Sequence, residues 1–238
     1  MQNLSNRVVM ITGPAGNLGQ AVAAKLLTLD ASLILVDRSD DRLPKMYPQL
    51  ADTKEHFLAT GVDVTNLESV EAMVVRALDH FGGIDGLVNT VGAFRAATPL
   101  HAVTLDVWDM MIKINATTTL LTSRCVIPAM VEVGKGSVVN IASRNALHGG
   151  ANTAAYSAAK SAVIRITESL SEEVKASGVN VNCVLPGTID TPQNRSAFPD
   201  DDYQTWVDPA EIANVIAFLL SEEASAIHGA SIPVYGLS

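Results

Sequence analysis

Arg7-Val-Val-Met-Ile-Thr12, then Gly13-Pro-Ala-Gly-Asn-Leu-Gly19, then Ser32-Leu-Ile-Leu-Val-Asp37 decide the fold of this chain. The first and last are short apolar runs rich in branched side chains, and such runs read as buried strands. Between them a glycine-rich turn opens a helical pattern over 17–29. The three together form a strand–helix–strand unit. Strands that are apolar at nearly every position have both faces covered, which is the habit of a parallel sheet.

The same alternation runs outward to the end of the chain. Strand patterns at 57–62, 84–90, 137–142, 179–185 and 231–234 alternate with helical patterns at 67–81, 105–133, 153–176 and 209–220. This predicts an α/β chain of a single doubly wound domain over 1–238, with a mostly parallel sheet and helices on both faces. In the helix at 153–176, Val163, Ile166, Leu170 and Val174 recur at steps of three and four, predicting one buried stripe. No linker, low-complexity block or internal repeat interrupts the pattern. One segment stands apart: 190–208 carries Pro192, Pro199, Asp200 to Asp202, and the aromatics Phe198, Tyr203 and Trp206, and is expected to form a lid.

Composition narrows the function. Hydrophobic residues make up 48% of the 238, enough for a substantial core, and only 17% are charged, so part of the outer surface is expected to meet another subunit. Lys and Arg number 16 against 25 acidic residues, for a net charge of -9. With no basic run, no nucleic-acid partner is expected. Cys125 and Cys183 have neither the number nor the spacing of a disulfide framework or a metal site, and read as reduced core thiols. The longest charge-free stretch, 8–24, is broken by Gly13, Pro14, Gly16 and Gly19, so no membrane span is expected. A soluble, cytoplasmic protein without a metal follows as the expectation.

The glycine-rich turn points to a nucleotide. Glycines permit a tight turn and let the backbone approach a pyrophosphate, whose charge then lies at a helix N-terminus. In such a Rossmann-type arrangement Gly13, Ala15, Gly16, Asn17, Leu18 and Gly19 would form the cradle. The next strand ends at Asp37, 18 residues after Gly19 and close to the usual offset for an acid that binds ribose hydroxyls. A carboxylate there repels a 2′-phosphate, favouring NAD(H); Arg38 beside it keeps NADP(H) as the alternative. Asp63-Val64 and Asn89 to Gly92 stand at neighbouring strand ends, where ligands of open α/β sheets bind.

Tyr156 and Lys160 are four apart and share one face of their helix. Ser143, at the end of the preceding strand, brings a hydroxyl to the start of that helix. With these residues, the chain resembles the short-chain dehydrogenase/reductase family over nearly its whole length. The resemblance is carried by Thr12 to Gly19, Asp63-Val64, Asn89-Thr-Val-Gly92, Asn115, Ser143, Tyr156-Ser-Ala-Ala-Lys160 and Pro186-Gly-Thr-Ile-Asp-Thr191. It implies an enzyme that moves hydride between nicotinamide and a small carbonyl or alcohol. By it, Tyr156 is the general acid/base, Lys160 its activator and ribose clamp, Ser143 the holder of the substrate oxygen, and Asn115 part of a proton relay. Pro186, Gly187, Ile189 and Thr191 would border the nicotinamide, with Thr191 reaching its carboxamide. A free tyrosine titrates near pH 10, and a nearby ammonium is expected to lower Tyr156; about two units would need about 2.7 kcal/mol.

The chain departs from the family's commonest pattern in places. Asn17 stands where glycine is usual, and is expected to cap the helix instead. Asn89-Thr-Val-Gly92 replaces Asn-Asn-Ala-Gly, and 227–236 lacks the usual aspartate before its glycine. The stretch 188–195, with Pro199 to Asp202 and Trp206, resembles dihydropteridine reductases, which makes an NADH-dependent enzyme of that kind the runner-up. Ser143 favours a carbonyl or alcohol instead. A non-catalytic dinucleotide sensor is the alternative of another class. Phe94-Arg95, Arg144, Asn145 and His148 are expected near the pocket, with His148 bound to water; Trp108 and Met110-Met111 read as core or interface. In the family, the helices at 105–133 and 153–176 pair across two-fold axes, implying a homo-oligomer, with a tetramer expected.

Overall fold

The computed structural model describes residues 3–51, 53–95 and 98–237. In chain order its main elements are β1 (Val8–Thr12), α1 (Asn17–Leu27), β2 (Ser32–Val36), α2 (Arg42–Met46), β3 (His56–Ala59), α3 (Leu67–Phe81), β4 (Gly86–Asn89) and α4 (Leu105–Ile112). There follow α5 (Thr118–Val133), β5 (Gly136–Ile141), α6 (Ala154–Val174), β6 (Val179–Pro186), α7 (Pro192–Ala197), α8 (Pro209–Leu220) and β7 (Ser231–Val234). The seven strands form one parallel sheet in the order β3-β2-β1-β4-β5-β6-β7. The chain winds outward from β1 in both directions, so the topological switch lies between β1 and β4, where a crevice opens beyond the strand ends.

Side-chain alternation sorts the core into two faces. Val9 and Ile11 of β1 pack with Val22 and Leu26 of α1 and Ile212 and Ile216 of α8. Met10 points the other way, against Val70, Met73 and Val74 of α3 and Val126 and Met130 of α5. Val163 and Ile164 of α6 cover Cys183 and Leu185 of β6.

Helix ends follow local chemistry. Asn66 caps α3 by accepting from the Ser69 N–H at 2.8 Å, and Gly82 ends it at a φ of 76°. Asp208, Pro209 and Glu211 start α8 with a reciprocal capping box.

Two expectations are corrected. The helical pattern at 105–133 is two helices joined by a π-helical turn, Lys113–Thr117, which holds Asn115. The buried stripe of α6 is also rotated from the one predicted: Thr167 and Ser171 are buried with Val163 and Val174, while Ile166 and Leu170 are only half-buried. Thr167 is tolerated there because its hydroxyl donates to Val163 O at 2.8 Å and accepts from Asn140 Nδ2 at 2.9 Å. No helix among the described residues is long and apolar enough to cross a membrane.

Candidate active site

Parallel register brings the strand ends into line. Thr12 pairs with Val36 and Asn89, and Ile141 with Val184, so the segments after β1, β2, β4, β5 and β6 share one rim of the sheet. Two cavities open there. One, about 330 Å³, is bordered by Gly13, Ala15, Gly16, Asp37, Arg38, Arg42, Asp63, Val64 and Ile114. The other, about 390 Å³, is bordered by Asn115, Ser143, Tyr156, Lys160, Pro186, Gly187 and Ile189 among others. Thr90 and Gly92 border both, so the two form one elongated cleft across the switch point.

The glycine-rich turn is built on close backbone approach. Gly13 has a φ of +68°, a conformation that side chains resist. A Cβ on Gly19 would lie 2.2 Å from Gly13 O and 2.8 Å from the Cα of Pro14. Thr90 Oγ1 donates to Thr12 O at 2.6 Å, tying the ends of β1 and β4 together. Gly16, not Asn17, occupies the N-cap position of α1 and offers no side-chain hydrogen bond. Asn17 is the first helical residue, and its Nδ2 donates to Gln193 Oε1 of α7 at 2.8 Å. The asparagine that looked like a cap instead joins the turn to the segment at 190–208.

At the far end of this cavity Asp37 is buried. One carboxylate oxygen accepts from the Ser39 N–H at 2.8 Å, and the other faces Arg42 Nη1 at 3.5 Å. Arg38 is exposed. Hydrogen bonds from Thr65, assisted by the charges of Lys113 and Arg38, hold the Asp63 carboxyl below its usual range.

In the second cavity Ser143 and Tyr156 share one wall, and Ser143 Oγ accepts from the Asn145 N–H at 3.2 Å. Lys160 is buried and donates to Ile141 O at 2.7 Å. Burial drives its pKa down to about 8. Burial also pushes the Tyr156 phenol above its ordinary value, outweighing the hydrogen bond from Ser143 that acts the other way. The expected lowering by Lys160 is therefore not what the protein chain by itself produces: desolvation dominates. Asn115 is fully buried; its Nδ2 donates to Ala93 O and Met111 O, both at 3.0 Å, and its Oδ1 accepts from the Ala93 N–H at 3.1 Å. A Cβ on Gly92 would lie 2.8 Å from that oxygen and 3.1 Å from Lys160 Nζ, so glycine is needed beside the cavity wall.

Not every residue singled out in the sequence reaches the cleft. Leu18 borders the Tyr156 cavity, but Asn17 and Gly19 border neither. Asn89 is buried, donating to Asn140 Oδ1 at 2.9 Å and accepting from Thr122 Oγ1 at 2.7 Å, so it binds β4 to β5 and α5. Thr191 caps α7 through its Oγ1, accepting from the Asn194 N–H at 3.1 Å; Thr188 and Asn194 stand at the wall instead. His148 is exposed and borders neither cavity. The segment 190–208 is structured, with α7, a 3-10 turn at Tyr203–Thr205 and a parallel bridge from Ile189 to Val207. Sequence reasoning missed Arg42, whose only signal is its place five residues after Asp37, and gave no role to Thr90 within the stretch Asn89 to Gly92.

The family model for short chain dehydrogenases matches residues 7–202. The chain belongs to the short-chain dehydrogenase/reductase family, whose members are oxidoreductases. Short-chain dehydrogenase/reductase aba4 of Botryotinia fuckeliana (strain B05.10) is 31% identical over 253 residues, covering 99% of this chain and 97% of that one. Levodione reductase has a TM-score of 0.90 at 31% identity, covering 98% of each chain. Carveol dehydrogenase from Mycobacterium avium in complex with NAD has a TM-score of 0.89 at 26% identity, covering 99% of this chain and 98% of that one.

Proposed function

We propose that this short-chain dehydrogenase/reductase is an NAD(H)-dependent enzyme that interconverts a small carbonyl compound and its alcohol, with Tyr156 as general acid/base. One observation carries the reading: Ser143, Tyr156 and Lys160 border a cavity that runs into the glycine-rich turn through Thr90 and Gly92. The cleft fits a dinucleotide. The first turn of α1 has no side-chain cap and no acidic residue, which leaves backbone N–H groups for a pyrophosphate, and glycine at Gly19 lets the turn lie close against α1. Gly13, Ala15 and Gly16 would hold the pyrophosphate, Asp37 the ribose hydroxyls, Asp63 and Val64 the base, and Pro186, Gly187 and Ile189 the nicotinamide end. When bound, the nicotinamide supplies or accepts a hydride.

The chain's own residues handle the proton. Ser143 orients the substrate oxygen, and the Tyr156 O–H, kept protonated at neutral pH by burial, donates to it during reduction. Lys160 faces the cavity with one hydrogen on Ile141 O and the others available to restore that proton. The side chain of Asn115 holds Ala93 in place, so any relay through Asn115 uses its main-chain carbonyl, which also accepts from Thr119 Oγ1 at 3.3 Å.

Paired titration with NADH and NADPH, then oxidation of the tighter binder against ketones and quinonoid dihydropterin, tests this reading. NADH preference with ketone turnover supports it. Turnover of the pterin alone would favour the dihydropteridine-reductase reading, and binding without turnover the sensor. Asp37→Ala is expected to reduce the NADH-over-NADPH affinity ratio by about tenfold or more, the equivalent of one charged hydrogen bond. Arg38 and Arg42 would then face a 2′-phosphate without the opposing carboxylate. An unchanged ratio would remove Asp37 from the specificity argument.

The enzyme is proposed to be cytoplasmic and to assemble as a homotetramer. Support comes from α4, where Leu105 and Trp108, three residues apart on one helix face, are both exposed. Light scattering should give a multiple of the 25.1 kDa chain mass; a monomer at micromolar concentration would reject assembly.

A further inference from the structure

We infer that the substrate is a compact molecule with one reacting oxygen on an apolar ring, and that Phe94 and Phe198 select it. This inference rests on the reading of the Tyr156 cavity as the reacting site. The cavity has a polar side and an apolar side. Ser143, Asn145 and Thr188 supply hydroxyl and amide groups, and Arg144, which also borders the cavity, lays its guanidinium over the Tyr235 ring at 5.6 Å; Ala93, Phe94, Ile189 and Phe198 supply carbon.

The polar side offers little to a substrate with several hydroxyls. The Ser143 hydroxyl shares the cavity wall with Tyr156 and Lys160, so it belongs to the reacting oxygen. Asn194 spends its Nδ2 on Ile189 O at 2.8 Å. No carboxylate borders this cavity among the described residues, so the usual acceptor for sugar hydroxyls is missing from its wall. The apolar side, in contrast, has surface left over. Phe94 is 50% exposed and Phe198 is 40% exposed, although both border the cavity.

Both rings are held in place by other aromatics. Phe94 meets the Tyr156 ring edge-on, with centroids 4.8 Å apart and planes at 89°. Phe198 meets the buried Trp206 edge-on at 6.5 Å and 88°. Trp206 in turn packs on Tyr203 at 4.8 Å. An apolar ligand body beside Tyr156 would cover ring surface that is already positioned and now faces water, which favours binding in proportion to the area covered. The cavity of about 390 Å³ has to admit the nicotinamide end as well, so that body is small.

Reduction of cyclohexanone and of dihydroxyacetone by the NADH-loaded enzyme, for wild type and Phe94→Ser, tests this. Calorimetric binding of cyclohexanol to the same two proteins provides a readout independent of turnover. The wild type should favour cyclohexanone in kcat/KM, Phe94→Ser should cut that preference at least about tenfold, and cyclohexanol binding should weaken in parallel. Equal loss for both ketones would show that Phe94 only braces Tyr156, and would overturn the inference. Preference for dihydroxyacetone would overturn it too. If neither ketone is reduced, the proposed reaction fails, and the calorimetry still decides: saturable cyclohexanol binding that Phe94→Ser weakens upholds the apolar pocket, and its absence overturns it. Phe198→Ser, remote from the Tyr156 ring, repeats the test where Phe94→Ser fails to fold.

Discussion

Tyr156→Phe is expected to lower turnover by about 10²–10⁴-fold, the span of one general acid/base, while leaving NADH affinity nearly unchanged. The substitution keeps the ring that packs against Phe94 and deletes only the hydroxyl beside Ser143. Losing a single hydroxyl and whatever hydrogen bond it makes costs about 1 kcal/mol of stability, too little to explain the kinetic loss by unfolding. The pH dependence should report the same machinery. Tyr156 is raised by burial and stays protonated through the neutral range, so it imposes no decline on reduction there. Lys160, lowered by burial to about 8, loses its proton above that value and with it the capacity to resupply Tyr156. Reduction should therefore hold level below about pH 8 and fall above it. Kinetics over that range for wild type and Tyr156→Phe check both statements; wild-type turnover in the variant would refute the role of Tyr156.

Gly19→Ala carries the second large effect, and here two physical terms oppose each other. In a helix interior, alanine is favoured over glycine by about 1 kcal/mol. Against this, the new Cβ would stand 2.2 Å from Gly13 O and 2.8 Å from the Cα of Pro14, and both neighbours are backbone that cannot rotate away. Such overpacking costs about 1–3 kcal/mol or more, so the clash wins and the variant is less stable. Relief of the clash has to widen the turn against α1, so dinucleotide affinity should fall by about tenfold or more, equivalent to about 1.4 kcal/mol. Gly16→Ala is the control: its Cβ meets only Gly13 O at 3.5 Å, an ordinary contact, and stability should change little. Denaturant midpoints for the two variants, with NADH titrations for Gly19→Ala, separate the positions. Equal midpoints would mean that the turn has slack not visible in its geometry.

These two glycines show where a sequence stops being informative. In the motif Gly16 and Gly19 look equivalent, and only the folded turn shows that one position is open and the other closed. Features written in local chemistry were legible: the helical patterns at 67–81 and 209–220 match α3 and α8, and the structure adds the caps at Asn66, Gly82 and Asp208 that bound them. The site's serine, tyrosine and lysine were legible because helical spacing and a strand end bring them together. Features set by distant partners were not. The π-helical turn at Lys113–Thr117 has no glycine or proline to announce it; the Asn115 side chain is drawn to Ala93, 22 residues away, and takes up the Met111 carbonyl as well. Thr167 is buried because Asn140 of β5 meets it, and Asn17 leaves its capping role because Gln193 lies within reach. The direction of the Tyr156 shift depends on how much water the fold removes, which no spacing of residues encodes.

Reduction of a ketone with NADH carrying deuterium at the transferable position of its nicotinamide tests the proposed reaction most directly. The expected product is an alcohol with deuterium on the former carbonyl carbon and a solvent-derived proton on oxygen, formed by the wild type and nearly abolished in Tyr156→Phe. Tight NADH binding with no labelled alcohol from any ketone, or labelled alcohol formed equally well without the Tyr156 hydroxyl, would contradict it.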